Sequence, residues 1–199
     1  MKAKVFVLTG GPQAGKTSAI QALREYFGDK LLLVPEVATP LIGELWPEVR
    51  PESLSHEIWV KSLQRGIFHT QLGLEEISQA RAATEGKILI GQDRGIFDSA
   101  AYLQITSREL AEQFGESYSH LMSRYHLVIH LETQAQVSAS EFGSSTNASR
   151  FEAAEAAIRL DHRLWEAWQD HPHHIRIPAT STLKSKLDEV IELVQQLLD

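Results

Sequence analysis

Residues 10–17 read Gly10-Gly11-Pro12-Gln13-Ala14-Gly15-Lys16-Thr17, directly after the apolar run Val5-Phe6-Val7-Leu8 and directly before a helical pattern in which Ile20, Leu23 and Phe27 share one face. The G-x-x-x-x-G-K-[ST] spacing matters because Gly10 and Gly15 can take backbone angles that a side chain disfavours, so successive amide N–H groups turn inward around phosphate oxygens. Lys16 then reaches the β- and γ-phosphates, Thr17 offers its hydroxyl to Mg²⁺, and the helix N-terminus adds its dipole to the anion site. With Ser18 next in line, Gly10 to Ser18 is the stretch expected to contact nucleotide. The bland alternative is a glycine turn that only joins a strand to a helix. Strand, glycines, Lys-Thr and helix in register argue against it.

The rest of the chain alternates short apolar runs with amphipathic stretches, which predicts an α/β fold with a mainly parallel sheet. Expected strands cover residues 4–8, 31–35, 87–91, 126–131 and 174–178, and most are continuously apolar, as strands covered by helices on both faces are. Gly28 is a natural stop for the first helix, residues 53–85 read as one or two helices, and Thr106-Ser107-Arg108-Glu109 fits a capping box. Leu183, Leu187, Val190, Ile191, Val194, Leu197 and Leu198 recur with the period of a buried helix face. The polar stretch 133–149 has no such period and reads as part of a mobile lid, residues 133–150, within one domain spanning 1–199.

Length and composition exclude little beyond this. At 199 residues with a formal charge of −7, a binder of nucleic acid that relies on a basic surface is not expected. The absence of cysteine rules out disulfides and thiolate chemistry. The first apolar run breaks at Thr9-Gly10-Gly11, too short for a signal core or a membrane span, so a cytoplasmic location is expected.

In open α/β sheets ligands gather at the carboxyl ends of strands, which gives weight to the polar residues expected just beyond them. Asp93 sits where an acid holds Mg²⁺ through water, and Arg94 beside it suits a phosphate contact; an ordinary surface ion pair is the alternative. Glu36 suits the orientation and deprotonation of an acceptor hydroxyl, or else the stabilisation of a following helix through its dipole. Asp93 is its rival as base. Arg150, where the lid meets a helix, suits a clamp on the transferring phosphoryl group or an exposed pair with Glu152 or Glu155. Phe68 and Gln71, spaced i, i+3, could offer a ring and an amide to a planar base, or be core and surface. The cluster His171, His173, His174 and the pair Trp165, Trp168 read as packing rather than as metal or cofactor sites.

Taken together, Leu8-Thr9-Gly10-Gly11-Pro12, Gly15-Lys16-Thr17, Pro35-Glu36-Val37-Ala38, Asp93-Arg94-Gly95 with Asp98 and Tyr102, and Arg150 after a variable lid resemble one family. It is the NadR-like AAA-type domain family of P-loop NTPases, found in ribosylnicotinamide kinases and TRPL translocation defect proteins. The resemblance implies a three-layer, nucleoside-kinase-like fold with a five-stranded parallel sheet in order 2-3-1-4-5. It further implies an ATP–Mg²⁺ site on Gly10 to Thr17, with Asp93, Arg94 and Arg150 at active-site positions. Lys16, Glu36, Asp93, Arg94 and Arg150 are then the expected catalytic set, Thr17 and Asp93 the metal pair, and Glu36, Phe68 and Gln71 the acceptor side. ATP is the expected donor, with GTP the alternative, since the guanine motif Asn-Lys-x-Asp is missing. A small-molecule kinase with a nucleoside-like acceptor is the first reading, and a nucleotide-dependent regulatory module the second. This chain lacks the arginine that ends the family's Glu-Ala-Ala-Arg segment, reading Glu36-Val37-Ala38-Thr39, and its lid has no basic cluster. Both departures point away from a strongly anionic acceptor.

Overall fold

A computed structural model describes residues 2–45, 56–137 and 147–198. Five parallel strands, β1 (Lys4–Gly10), β2 (Leu31–Val34), β3 (Leu89–Asp93), β4 (Leu127–Leu131) and β5 (His174–Ile177), form one sheet in order β2-β3-β1-β4-β5. Strand side chains alternate between faces, so each strand feeds two cores. Val5, Val7, Leu32, Val34, Ile90 and Val128 pack on one side, and Phe6, Leu8, Leu31, Leu89, Leu127 and Ile129 on the other. Continuous apolar strands are the sequence requirement of such a two-sided sheet.

The second side is closed by α1 (Lys16–Phe27) and α8 (Leu183–Gln195), through Ala19 and Leu23 of the first and Val190 and Val194 of the second. Leu183, expected on that buried face, is 54% exposed instead. It is the first residue of α8, beyond the edge of the core, capped by the Thr182 side chain accepting from the Ser185 N–H.

The first side is closed by α3 (His56–Glu85), α4 (Asp98–Leu103), α5 (Ser107–Gln113) and α6 (Tyr118–Met122), together with α7 (Asn147–Ala167). Residues 56–85 form a single 30-residue helix rather than two. The expected capping box is present: Thr106 accepts from the Glu109 N–H, and the Glu109 carboxylate accepts from the Thr106 N–H at 2.7 Å. A short α2 (Ala38–Glu44) follows β2.

One strand is displaced as a whole from its expected place. β3 starts two residues later than expected and runs to Asp93, because Gln92 and Asp93 pair with Val7 and Leu8 of β1. Gln92 is polar yet only 2% exposed, and it belongs in the strand because Gln71 Nε2 donates to its Oε1 at 2.9 Å. The shift has a functional effect. Asp93 lies on the rigid end of the sheet, beside the strand that leads into the glycine loop.

Residues 138–146 of the expected lid lie outside the described residues, as do the side chains of residues 147–152, Arg150 among them. The lid's first residues are packed, however: Thr133 is fully buried and caps the short 3-10 turn Gln134–Gln136. No described helix is long and apolar enough to cross a membrane.

Candidate active site

The loop between β1 and α1 turns on two glycines in backbone angles that side chains disfavour. Gly10, at φ 134°, presses against the Leu131 carbonyl where a Cβ would stand. Gly15, at φ 93°, turns the chain into α1, which has no side-chain cap and no acid in its first turn. Its leading N–H groups are therefore left for an anion. Gln13 also takes a positive φ, 55°.

Lys16 Nζ donates to the carbonyls of Gly10 and Gly11 at 2.9 and 3.0 Å, so its charge lies over the loop. Burial, and next the Arg94 charge, push its pKa down to about 8, against the opposing pull of Asp93, Asp98 and Asp161. A triphosphate in the loop favours the charged amine. ATP–Mg²⁺ affinity is therefore expected to be flat below about pH 7.5 and to fall toward about tenfold per pH unit above about 8, as the free protein loses this proton and binding must take it back. Calorimetry in buffers of different ionisation enthalpy would read that proton uptake, and constant affinity up to about pH 9 would contradict it.

Not every loop amide turns inward. The Gly11 N–H donates to Asp161 Oδ1 at 2.7 Å, and Asp161, on α7, also accepts from the Thr133 N–H and pairs with His130 Nε2, both at 3.2 Å. Burial works against this carboxylate, but the bonds from His130, Gly11 and Thr133 outweigh it and hold its pKa below the ordinary value. Thr133 Oγ1 in turn donates to the Pro12 carbonyl at 2.5 Å. Gly11 and Pro12 thus frame the cradle from behind, and the expected inward turn of Gly11 is corrected. A side chain at Gly11 would stand 2.8 Å from Asp161 Oδ1, which explains the second glycine.

Asp93 Oδ1 is buried and has no hydrogen-bond partner among the described residues. Burial raises its pKa, with Arg94 and Lys16 opposing the rise. A desolvated carboxylate oxygen without a donor, sharing a cavity with the exposed Thr17 hydroxyl, has the hard oxygen chemistry that Mg²⁺ takes through water. The pair therefore fits a magnesium ion.

Arg94, at φ 73°, donates from Nη1 to the Gly10 carbonyl at 3.2 Å and to Asp98 Oδ2 at 3.3 Å. Asp98 collects two further donors, Thr9 Oγ1 and Trp168 Nε1, each at 2.7 Å. Trp168 is completely buried and packs edge-on against Phe97, so its expected packing role holds while its indole N–H also serves the site.

Glu36 does what its helix-start reading proposed: its carboxylate accepts from the Ala38 N–H and, at 3.0 Å, from the Thr39 N–H at the start of α2. It also lines a cavity of about 620 Å³ shared with Lys16, Thr17, Asp93, Arg94 and Gln71. Six of the residues singled out in the sequence thus meet in one place. Phe68 does not join them; it is fully buried and stacks edge-on with Phe114 at 4.7 Å.

Of the histidines, His171 is buried with Nε2 against the Tyr125 carbonyl at 3.1 Å, and His174 stacks on Trp165 at 3.8 Å. Asp161, His130 and Thr133 were missed as site residues. Asp161 did leave a signal. It is an acid at helical spacing among Ala154, Ala157, Ile158, Leu164 and Trp168, where an apolar residue belongs.

The parallel sheet in order 2-3-1-4-5, the glycine loop feeding α1, and the strand-end acid Asp93 define a P-loop NTPase. The family described as AAA domain matches residues 5–185, and the chain belongs to it. That family includes NadR-like kinases. Its members generally bind nucleotide with Mg²⁺. No curated protein matches the chain.

Proposed function

We propose that the protein is an ATP-dependent phosphotransferase that moves the γ-phosphoryl group of ATP to a hydroxyl of a nucleoside-sized acceptor. One observation carries this reading. The 620 Å³ cavity, walled by Val37, Ile42, Leu63 and Ile67, opens onto Lys16, Thr17 and Asp93. A machine that only hydrolyses ATP has no use for an apolar chamber at that point, whereas a kinase needs one to hold its acceptor and exclude water.

In this reading the loop amides and Lys16 neutralise phosphate charge, and Thr17 and Asp93 hold Mg²⁺. That ion supplies charge stabilisation to the transferring group. Glu36 keeps free lone pairs on a carboxylate already fixed by α2, so it orients the acceptor hydroxyl and accepts its proton. Arg94 and Arg150 balance developing charge. GTP remains the alternative donor.

The test is ADP release from ATP–Mg²⁺ against a panel of nucleosides, ribosylnicotinamide and nucleoside monophosphates. Acceptor-dependent release is expected, with Glu36→Gln retaining ATP affinity while slowing transfer by about 10²- to 10⁴-fold. Release that ignores every acceptor would instead favour a nucleotide-sensing module.

A further inference from the structure

We propose that Gln64 and Gln71 select the acceptor, and that Gln71 requires from it a hydrogen-bond donor on an uncharged ring. The proposal deepens the phosphotransferase reading by naming what the chamber recognises, and it rests on that reading for the identity of the chamber as an acceptor site.

Positions 60, 63, 64, 67 and 71 fall on one face of α3, the face that lines the cavity. Val60, Leu63 and Ile67 make it apolar, and two amides interrupt it. Gln64 is 6% exposed and makes no side-chain hydrogen bond among the described residues. Its amide stands on the cavity wall. Such a group lining a cavity is placed for a ligand.

Gln71, 3% exposed, is partnered on one side only. Its Nε2 donates to Gln92 Oε1 at 2.9 Å, and Glu75 lies one helical turn on. Glu75 is buried and held by Arg124 Nε at 2.8 Å and Tyr125 Oη at 2.7 Å. The Gln92 carbonyl oxygen accepts, so it draws the amino end of Gln71. Among the described residues the Gln71 carbonyl oxygen has no hydrogen-bond partner, and it is the end offered to the cavity. Gln92 thus acts through Gln71 as a positioning residue that fixes its polarity.

The lining cations among the described residues, Lys16 and Arg94, stand at the glycine-loop end. Nothing at the α3 amides calls for a phosphate. The ligand chemistry that fits is a nucleoside-sized ring system with an amino or ring N–H facing α3 and no negative charge there.

The experiment uses matched acceptors that differ by one donor: cytidine and pyrimidin-2-one riboside, adenosine and purine riboside, uridine and N3-methyluridine. Each is assayed by ADP release and, in parallel, by calorimetric binding. In the pair that the site uses, loss of the donor is expected to cost at least about tenfold, and Gln71→Leu to bring the two members within about threefold. Gln92→Leu, which removes the acceptor that holds the Gln71 amino end, is expected to relax the same preference and gives a second reading should Gln71→Leu fold poorly. Equal use of both members of every pair, a preference that survives Gln71→Leu, or no binding of any nucleoside would overturn the proposal. Binding with the expected preference but without stimulated ADP release would overturn the phosphotransferase reading alone.

Discussion

Lys16→Ala is expected to lower ATP–Mg²⁺ affinity by at least about 10²-fold and phosphoryl transfer by about 10³-fold or more. The effect exceeds the loss of one hydrogen bond because of what remains. Asp93, Asp98 and Asp161 all act electrostatically on the Lys16 amine, and without it a triphosphate meets three carboxylates offset mainly by Arg94. Arg94 is already engaged by the Gly10 carbonyl and Asp98. Calorimetry of ATP–Mg²⁺ with the variant checks this directly. An affinity within about threefold of the parent would show that the loop amides and α1 carry the anion by themselves.

Asp98→Ala is expected to cost about 3–5 kcal/mol of unfolding free energy, a large share of a typical domain's stability. Asp98 is 3% exposed, and its two oxygens receive Thr9, Arg94 and Trp168. Removing the carboxylate strands the fully buried Trp168 indole N–H and Thr9 hydroxyl and takes one partner from the Arg94 guanidinium, and an unpaired buried donor loses more than an average bond contributes. The control is Lys61→Ala, which breaks the exposed pair with Glu57 and should leave stability nearly unchanged. Urea unfolding of both variants makes the comparison. A loss under about 1 kcal/mol for Asp98→Ala would mean that the three donors find other partners.

The contrast between these aspartates explains what the sequence revealed. The glycine loop was legible because its constraint is local: positive φ at Gly10 and Gly15 has to be written into the residues themselves. Asp93 and Glu36 were legible as acids near strand ends, although Asp93 proved to be inside β3. The strand boundary moved because Gln92 is tolerated there only through Gln71, on a helix that no local pattern connects to it. Phe68 and Gln71 share the inner side of α3, yet one meets Phe114 and the other the cavity. Periodicity says which side of a helix is inside; it does not say which neighbour each inner residue meets. Asp161 was hardest to read, since its partner Gly11 lies 150 positions upstream.

That separation orders events while the chain is being made. Synthesis runs from the N-terminus and domains fold largely as units. A nascent chain that has released everything through residue 137 already carries the whole glycine motif, Thr17, Asp93 and four of the five strands. It does not yet carry Asp161 or Trp168, so the Gly11 amide and Asp98 each lack a partner. The finished cradle is therefore a product of the last third of translation, and nucleotide offered to ribosome-bound intermediates is expected to meet a competent loop only after α7 has emerged.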